Sequence, residues 1–135
     1  NLIMSYGKFD LVHFNNGLHG WEYTEDEYDA AFPDMIKAIR KNAPNAKLIW
    51  ATTTPIRTGK YCERLEERVA RIVTRNEIAQ KHISKAKDIK TNDLFNLILD
   101  HPEYFIGGDG VHPIDKGYQV LAEQVAKKIL ESLSE

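Results

Sequence analysis

The stretch "FDLVHFNNGLHGWEYTEDEYDAAF", residues 9–32, holds a strand, a loop and the start of a helix in one run. Phe9 to Phe14 is a β-rich segment bounded by Gly7 and by Asn15-Asn16-Gly17, which predicts a short buried strand. "NNGLHGW" follows as a loop rich in asparagine and glycine. Thr24 heads Thr-Glu-Asp-Glu, the pattern of a capping box with Glu27 as the return partner. Acidic residues in that first turn also suit the helix dipole. Tyr28, Ala31, Phe32, Met35, Ile36 and Ile39 recur at three and four, so one face of the helix is expected to be buried. Pro44 disfavours helical geometry at Ala43 and ends the segment.

The same alternation continues downstream. "KLIWATTT", Lys47 to Thr54, reads as a second strand, and Pro55 and Gly59 mark a loop after it. A long helix is expected from near Cys62 to about Lys85, with a stripe of Leu65, Val69, Ile72, Val73, Asn76, Ala79 and Ile83. A weak third strand falls near Asp88 to Lys90 and a short helix over Leu94 to Leu99. Asp115 is the expected N-cap of a final helix carrying Tyr118, Leu121, Ala122, Val125, Ile129 and Leu133. Strands alternating with long helices predict an α/β layered fold with a mostly parallel sheet, in a single domain over residues 1–135. Ligands in such sheets sit beyond the carboxyl ends of the strands. "NNGLHG", "TTPIRTGK" and "GGDGVHP" would then share one rim.

Composition narrows the functions. The chain has 135 residues, 42% hydrophobic and 28% charged, with a net charge of -2. That is ordinary for a globular domain, and it carries no basic footprint for nucleic acid. No apolar run approaches the roughly 18 residues that a membrane span needs. Cys62 is the only cysteine, so neither an internal disulfide framework nor a CxxC metal site is available. His13, His82 and His101 show no metal-ligand spacing, and neither a metal nor a cofactor is expected. The chain opens without a methionine or a signal-peptide pattern, which fits a fragment or a processed chain.

"GGDGVHPIDKGY", residues 107–118, is where chemistry is expected. A histidine acting as a base needs its other ring nitrogen held by an acceptor, usually a carboxylate. Asp109 and His112 stand three apart among glycines, and Pro113 restricts His112 to extended geometry. Two readings fit this spacing. One is a catalytic Asp–His pair; the other is a surface loop with an Asx-turn at Asp109 and a solvated histidine.

The two glycine-rich stretches together resemble the SGNH, or GDSL-like, hydrolases. "DGVHP" matches that family's fifth block, Asp-x-x-His, at Asp109 and His112, and the following "GY" and helix also fit. "PEYF" and Asp93-Leu94-Phe95 fit the usual surroundings. "DLVHFNNGLHG" resembles the third block, Gly-x-Asn-Asp, in degenerate form: its glycine falls on Gly17, its asparagine on His19 and its aspartate on Gly20. The resemblance covers essentially the whole chain. It implies a flavodoxin-like three-layer sandwich and hydrolysis of a carbohydrate or acyl ester. It further implies that His112 is the general base, that Asp109 orients it, and that Gly17 with His19 or Asn16 serves the oxyanion.

Two departures stand against the pattern. His19 replaces the family's asparagine; an imidazole N–H could donate in its place, Asn16 could substitute, or His19 could simply pack beside Trp21. More seriously, the blocks that supply the Gly-Asp-Ser nucleophile and a glycine donor have no match. Ser5, Ser84, Ser132 and Ser134 are the serines present, and none lies on such a turn. The expectation is therefore that the first strands and the serine lie outside this chain. The first strand here would then have an open edge, completed by a missing N-terminal segment or by another copy. Arg57 and Lys60 could hold a substrate at the rim or be plain solvated cations. Trp21 and Tyr23 could stack on a sugar or staple the helix entry. The rival reading is a non-catalytic α/β binding module for a sugar or an anion.

Overall fold

The computed structural model describes residues 7–59 and 64–135. Ser5, Lys60 and Cys62 lie outside the described residues, as does the expected start of the long helix. The elements run β1 (Leu11–Phe14), α1 (Glu25–Asn42), β2 (Lys47–Ala51), α2 (Leu65–Lys85), β3 (Ile89–Asn92), α3 (Leu94–Leu99) and α4 (Asp115–Leu133). A 3-10 turn over Pro102–Phe105 precedes the last loop.

All three strands are parallel, in the order β1-β2-β3. β2 is central and buried from Leu48 onward, because it alone is flanked on both edges. Side chains alternate between the two faces of the sheet. Leu48 and Trp50 point to one face and join Tyr28 and Phe32 of α1 and Ile78, Ala79 and Ile83 of α2 in the main core. Burying each of the large members stabilises the fold by about 1.5–3 kcal/mol. The opposite face takes α4: Gln124 donates to Asn92, and Lys47 Nζ donates to the Ser132 carbonyl. The result is the expected three-layer sandwich, with α1 and α2 on one side and α4 on the other.

The local signals explain most boundaries. Thr24 caps α1, its hydroxyl accepting from Glu27 N–H while the Glu27 carboxylate accepts from Thr24 N–H, as the sequence predicts. Tyr28 and Phe32 are its buried residues. Several boundaries differ. β1, expected as a buried strand from Phe9, begins at Leu11 and is half-buried. β2 ends at Ala51 rather than Thr54, because the Asn76 side chain occupies the backbone of Thr53. β3 begins at Ile89 and runs to Asn92. Asp115 lies in the first turn of α4, whose N-cap is Ile114. Val73 and Tyr118, expected on buried stripes, are 37% and 51% exposed.

Two polar features cross the α4 face. His13 on β1 and Asn92 on β3 meet at 3.1 Å over β2. Burial lowers the His13 pKa, so the ring is neutral and accepts from the Asn92 amide. Lys90 pairs with Glu135 at the end of the chain. β1 is half-buried along its whole length, and among the described residues its outer edge has no partner strand.

Candidate active site

The loops after β1, after β2 and before α4 meet at the carboxyl end of the sheet. A small apolar cluster joins them: Ile56 of the second loop and Ile72 of α2 are buried, and Leu18, Trp21, Phe95 and Val111 pack against them. Leu18 belongs to the first loop and Val111 to the last, so the three stretches do share one rim.

The last loop holds the Asp–His pair. Asp109 Oδ1 accepts the backbone N–H groups of Val111 and His112, both at 2.8 Å. Its Oδ2 lies 2.7 Å from His112 Nδ1. The Asx-turn and the Asp–His contact, alternatives in the sequence, therefore coexist on the two oxygens of one carboxylate. The His112 backbone N–H, its side chain and the Val111 N–H together hold the Asp109 pKa down at about 2. Asp109 is thus a carboxylate at neutral pH and accepts from Nδ1–H. That tautomer leaves Nε2 with a lone pair, and among the described residues it has no partner.

The second loop presses on this turn. Arg57 N–H donates to the Gly110 carbonyl at 2.7 Å. The Arg57 guanidinium donates to the Leu99 carbonyl and lies over the Phe105 ring, so it is a brace within the protein, not a free cation at the rim. A Cβ at Gly59 would stand 2.3 Å from the Asp109 carbonyl carbon and oxygen, so only glycine permits this approach.

The first loop is held differently. Asn15 Nδ2 donates to the Ala51 carbonyl at 2.7 Å and to Thr53 Oγ1 at 3.1 Å, which ties the end of β1 to the end of β2. Gly17 is buried against the same threonine: a Cβ there would meet Thr53 Oγ1 at 2.2 Å. Asn16 turns its amide toward Met35 Sδ of α1, at 3.7 Å. His19 is exposed and borders a cleft of about 460 Å³ with Asn16, Tyr23 and Tyr28. Trp21 lies under the guanidiniums of Arg68, Arg71 and Arg75, at 5.2–5.6 Å, so its face is already covered. Tyr23 is 56% exposed.

Sequence reasoning missed Asn15, Asn76 and Arg75. Arg75 is 1% exposed, inside α2. It falls three residues after Ile72 and four before Ala79, on the buried stripe, and that placement was the available signal. No group of three or more His, Cys, Asp or Glu that could hold a metal occurs among the described residues. No helix among them is long and apolar enough to cross a membrane.

Known structures share this fold. A GDSL-like lipase of Bacteroides thetaiotaomicron superposes with a TM-score of 0.70 at 21% identity, over 91% of this chain and 63% of that one. A carbohydrate esterase of family 3 from Talaromyces cellulolyticus gives 0.68 at 20% identity, over 93% and 59%. The esterase domain of a zebrafish retrotransposon ORF1 protein gives 0.69 at 22% identity, over 81% and 61%. The chain thus spans about three fifths of the length of these structures. No curated protein matches it. The model of the GDSL-like lipase/acylhydrolase family matches residues 2–125, nearly the whole sequence, and with this fold and this Asp–His turn the chain belongs to that family.

Proposed function

We propose that these 135 residues carry the base half of an ester hydrolase of Ser-His-Asp type, with the serine supplied from outside them. The observation that carries the reading is the 2.7 Å contact between Asp109 Oδ2 and His112 Nδ1, on a rim at the carboxyl end of a parallel sheet. In this reading His112 Nε2 removes the hydroxyl proton as the serine oxygen attacks the ester carbonyl. It then delivers that proton to the departing alkoxide, and the acyl-serine is hydrolysed by a water activated in the same way. Asp109 stays ionised throughout and holds the ring. The oxyanion falls to the first loop, around Gly17, His19 and Asn16.

The substrate is a carbohydrate or acyl ester. Family membership and the esterases among the structural relatives support hydrolysis of an ester. The cleft beside His19, with Tyr23 at its border, offers an aromatic edge to a sugar or an acyl chain. The described serines support an external one. Ser84 hydrogen-bonds the Gln80 carbonyl on α2, Ser132 is buried in α4 and Ser134 follows it, all remote from His112 in the fold. The half-buried β1 suits a neighbouring strand from the same outside source, an upstream segment or a second copy.

A fluorophosphonate applied to the intact gene product tests this reading. A single serine adduct outside residues 1–135 is expected. An adduct on Ser5, Ser84, Ser132 or Ser134, or no adduct at all, contradicts it, and the last outcome favours a binding module.

A further inference from the structure

We propose that Arg75 is the positioning residue of the first loop, and that it turns the backbone N–H groups of Leu18 and Gly20 out as donors for the oxyanion. The inference rests on the hydrolase reading of Asp109 and His112. A guanidinium as buried as that of Arg75 persists only when its donors are satisfied. Its Nη2 donates to the carbonyls of Gly20 at 3.1 Å and Tyr23 at 2.8 Å. Nη1 reaches those of Gly17 and His19 at the longer distances of 3.5 and 3.4 Å. Nε faces the Glu25 carboxylate at 3.2 Å, and the rings of Trp21 and Tyr28 lie 5.4 and 5.2 Å away. One side chain thus gathers four carbonyls of a single loop.

The consequence follows from the peptide bond itself. In a planar trans unit the C=O and the N–H point in opposite directions, and no described peptide is cis. Drawing in the Gly17 carbonyl sends the Leu18 N–H away from Arg75, and drawing in the His19 carbonyl does the same for Gly20. Neither N–H finds an acceptor among the described residues, so neither is committed within the loop. The nearby side-chain amides are committed elsewhere, Asn15 to Ala51 and Thr53 and Asn16 to Met35. Leu18 packs on the same Ile56–Ile72 cluster as Val111, a residue of the Asp109–His112 turn. Where the third block has lost its asparagine, backbone donors held by Arg75 take over.

The test is the kcat and KM of Arg75→Lys in the intact gene product, expressed per serine titrated with a fluorophosphonate. Lysine keeps the charge beside Glu25 but lacks the fork that gathers several carbonyls. The expected result is a fall of about 10²-fold in kcat per titrated site, with KM nearly constant and the pH profile unmoved. A merely structural role would lower the number of titratable sites and leave kcat per site at the wild-type value; that result overturns the inference. If Arg75→Lys fails to fold, replacing the Leu18 or Gly20 amide by an ester removes the N–H alone. A loss of about tenfold or more in kcat per site supports the proposal, and an unchanged value overturns it. Inactive wild type, or a fully active His112→Ala, would instead defeat the hydrolase reading. Active wild type with dead His112→Ala and unaffected Arg75→Lys defeats only the role of Arg75.

Discussion

Asp109 reaches His112 across three residues, whereas the carbonyls of Gly17 and Tyr23 are gathered by an arginine 58 and 52 positions downstream. Both loops lie on one rim. The last loop is closed chiefly by local bonds: one carboxylate takes two backbone N–H groups and the ring nitrogen of its own turn, and the second loop adds the Arg57 N–H on Gly110. The first loop is shaped from outside, by Arg75 from α2 and by Asn15 reaching to β2. A locally closed turn keeps its geometry even when its surroundings relax. A loop held from a distance shares the fate of the core that holds it. The contrast ties the geometry of the first loop to the helix that holds it.

Arg75→Met should break the contrast hardest. It takes the guanidinium from the Gly17, His19 and Gly20 carbonyls, while Arg71 still holds Glu25 and the Tyr23 carbonyl, at a cost of about 3 kcal/mol. Urea denaturation of the chain measures it; a loss under about 1 kcal/mol would mean that the first loop does not depend on the guanidinium. Asp109→Asn should do less to the fold, because the hydrogen bonds to Val111 and His112 that it weakens lie within one turn. At neutral pH its unfolding midpoint is expected to fall by less than that of Arg75→Met, since the carboxylate's contribution is confined to one solvent-exposed turn. The same residue sharpens the comparison through pH. The Asp109 pKa is lowered from 3.8 to about 2, so the folded state favours the carboxylate. Whatever stability this lends is complete above the unfolded value and is lost as pH falls from there through the folded one. Carboxyl carbon NMR should place the Asp109 midpoint near 2, and a midpoint near 3.8 would mean that the turn is open in solution.

The contrast also explains what the sequence could say. β1, the capped start of α1, α3 and the Asp109–His112 turn were all legible, because each is decided by residues within a few positions of one another. The convergence of three loops was legible through topology, since parallel strands put their following loops at one end. Long-range side chains were not. The early end of β2 depends on Asn76, which reads as one polar residue on a helix stripe. Arg75 lies on the apolar stripe of α2, but its partners are backbone carbonyls with no sequence signature, so nothing local marks it as an anchor of the first loop. The α4 stripe overstated burial: Tyr118 and Leu133 are 51% and 47% exposed. The third-block match placed the asparagine role on His19 or Asn16. Asn15, one residue earlier, is the one whose amide binds the end of β2.

The central claim is that His112, held by Asp109, is the base of an ester hydrolase. The most direct measurement is turnover of an activated acyl ester by the intact gene product and by its His112→Ala variant, both shown to be folded. A loss of about 10³-fold or more is predicted, since the relay cannot remove the serine proton without the imidazole. Undiminished turnover in the variant would contradict the account.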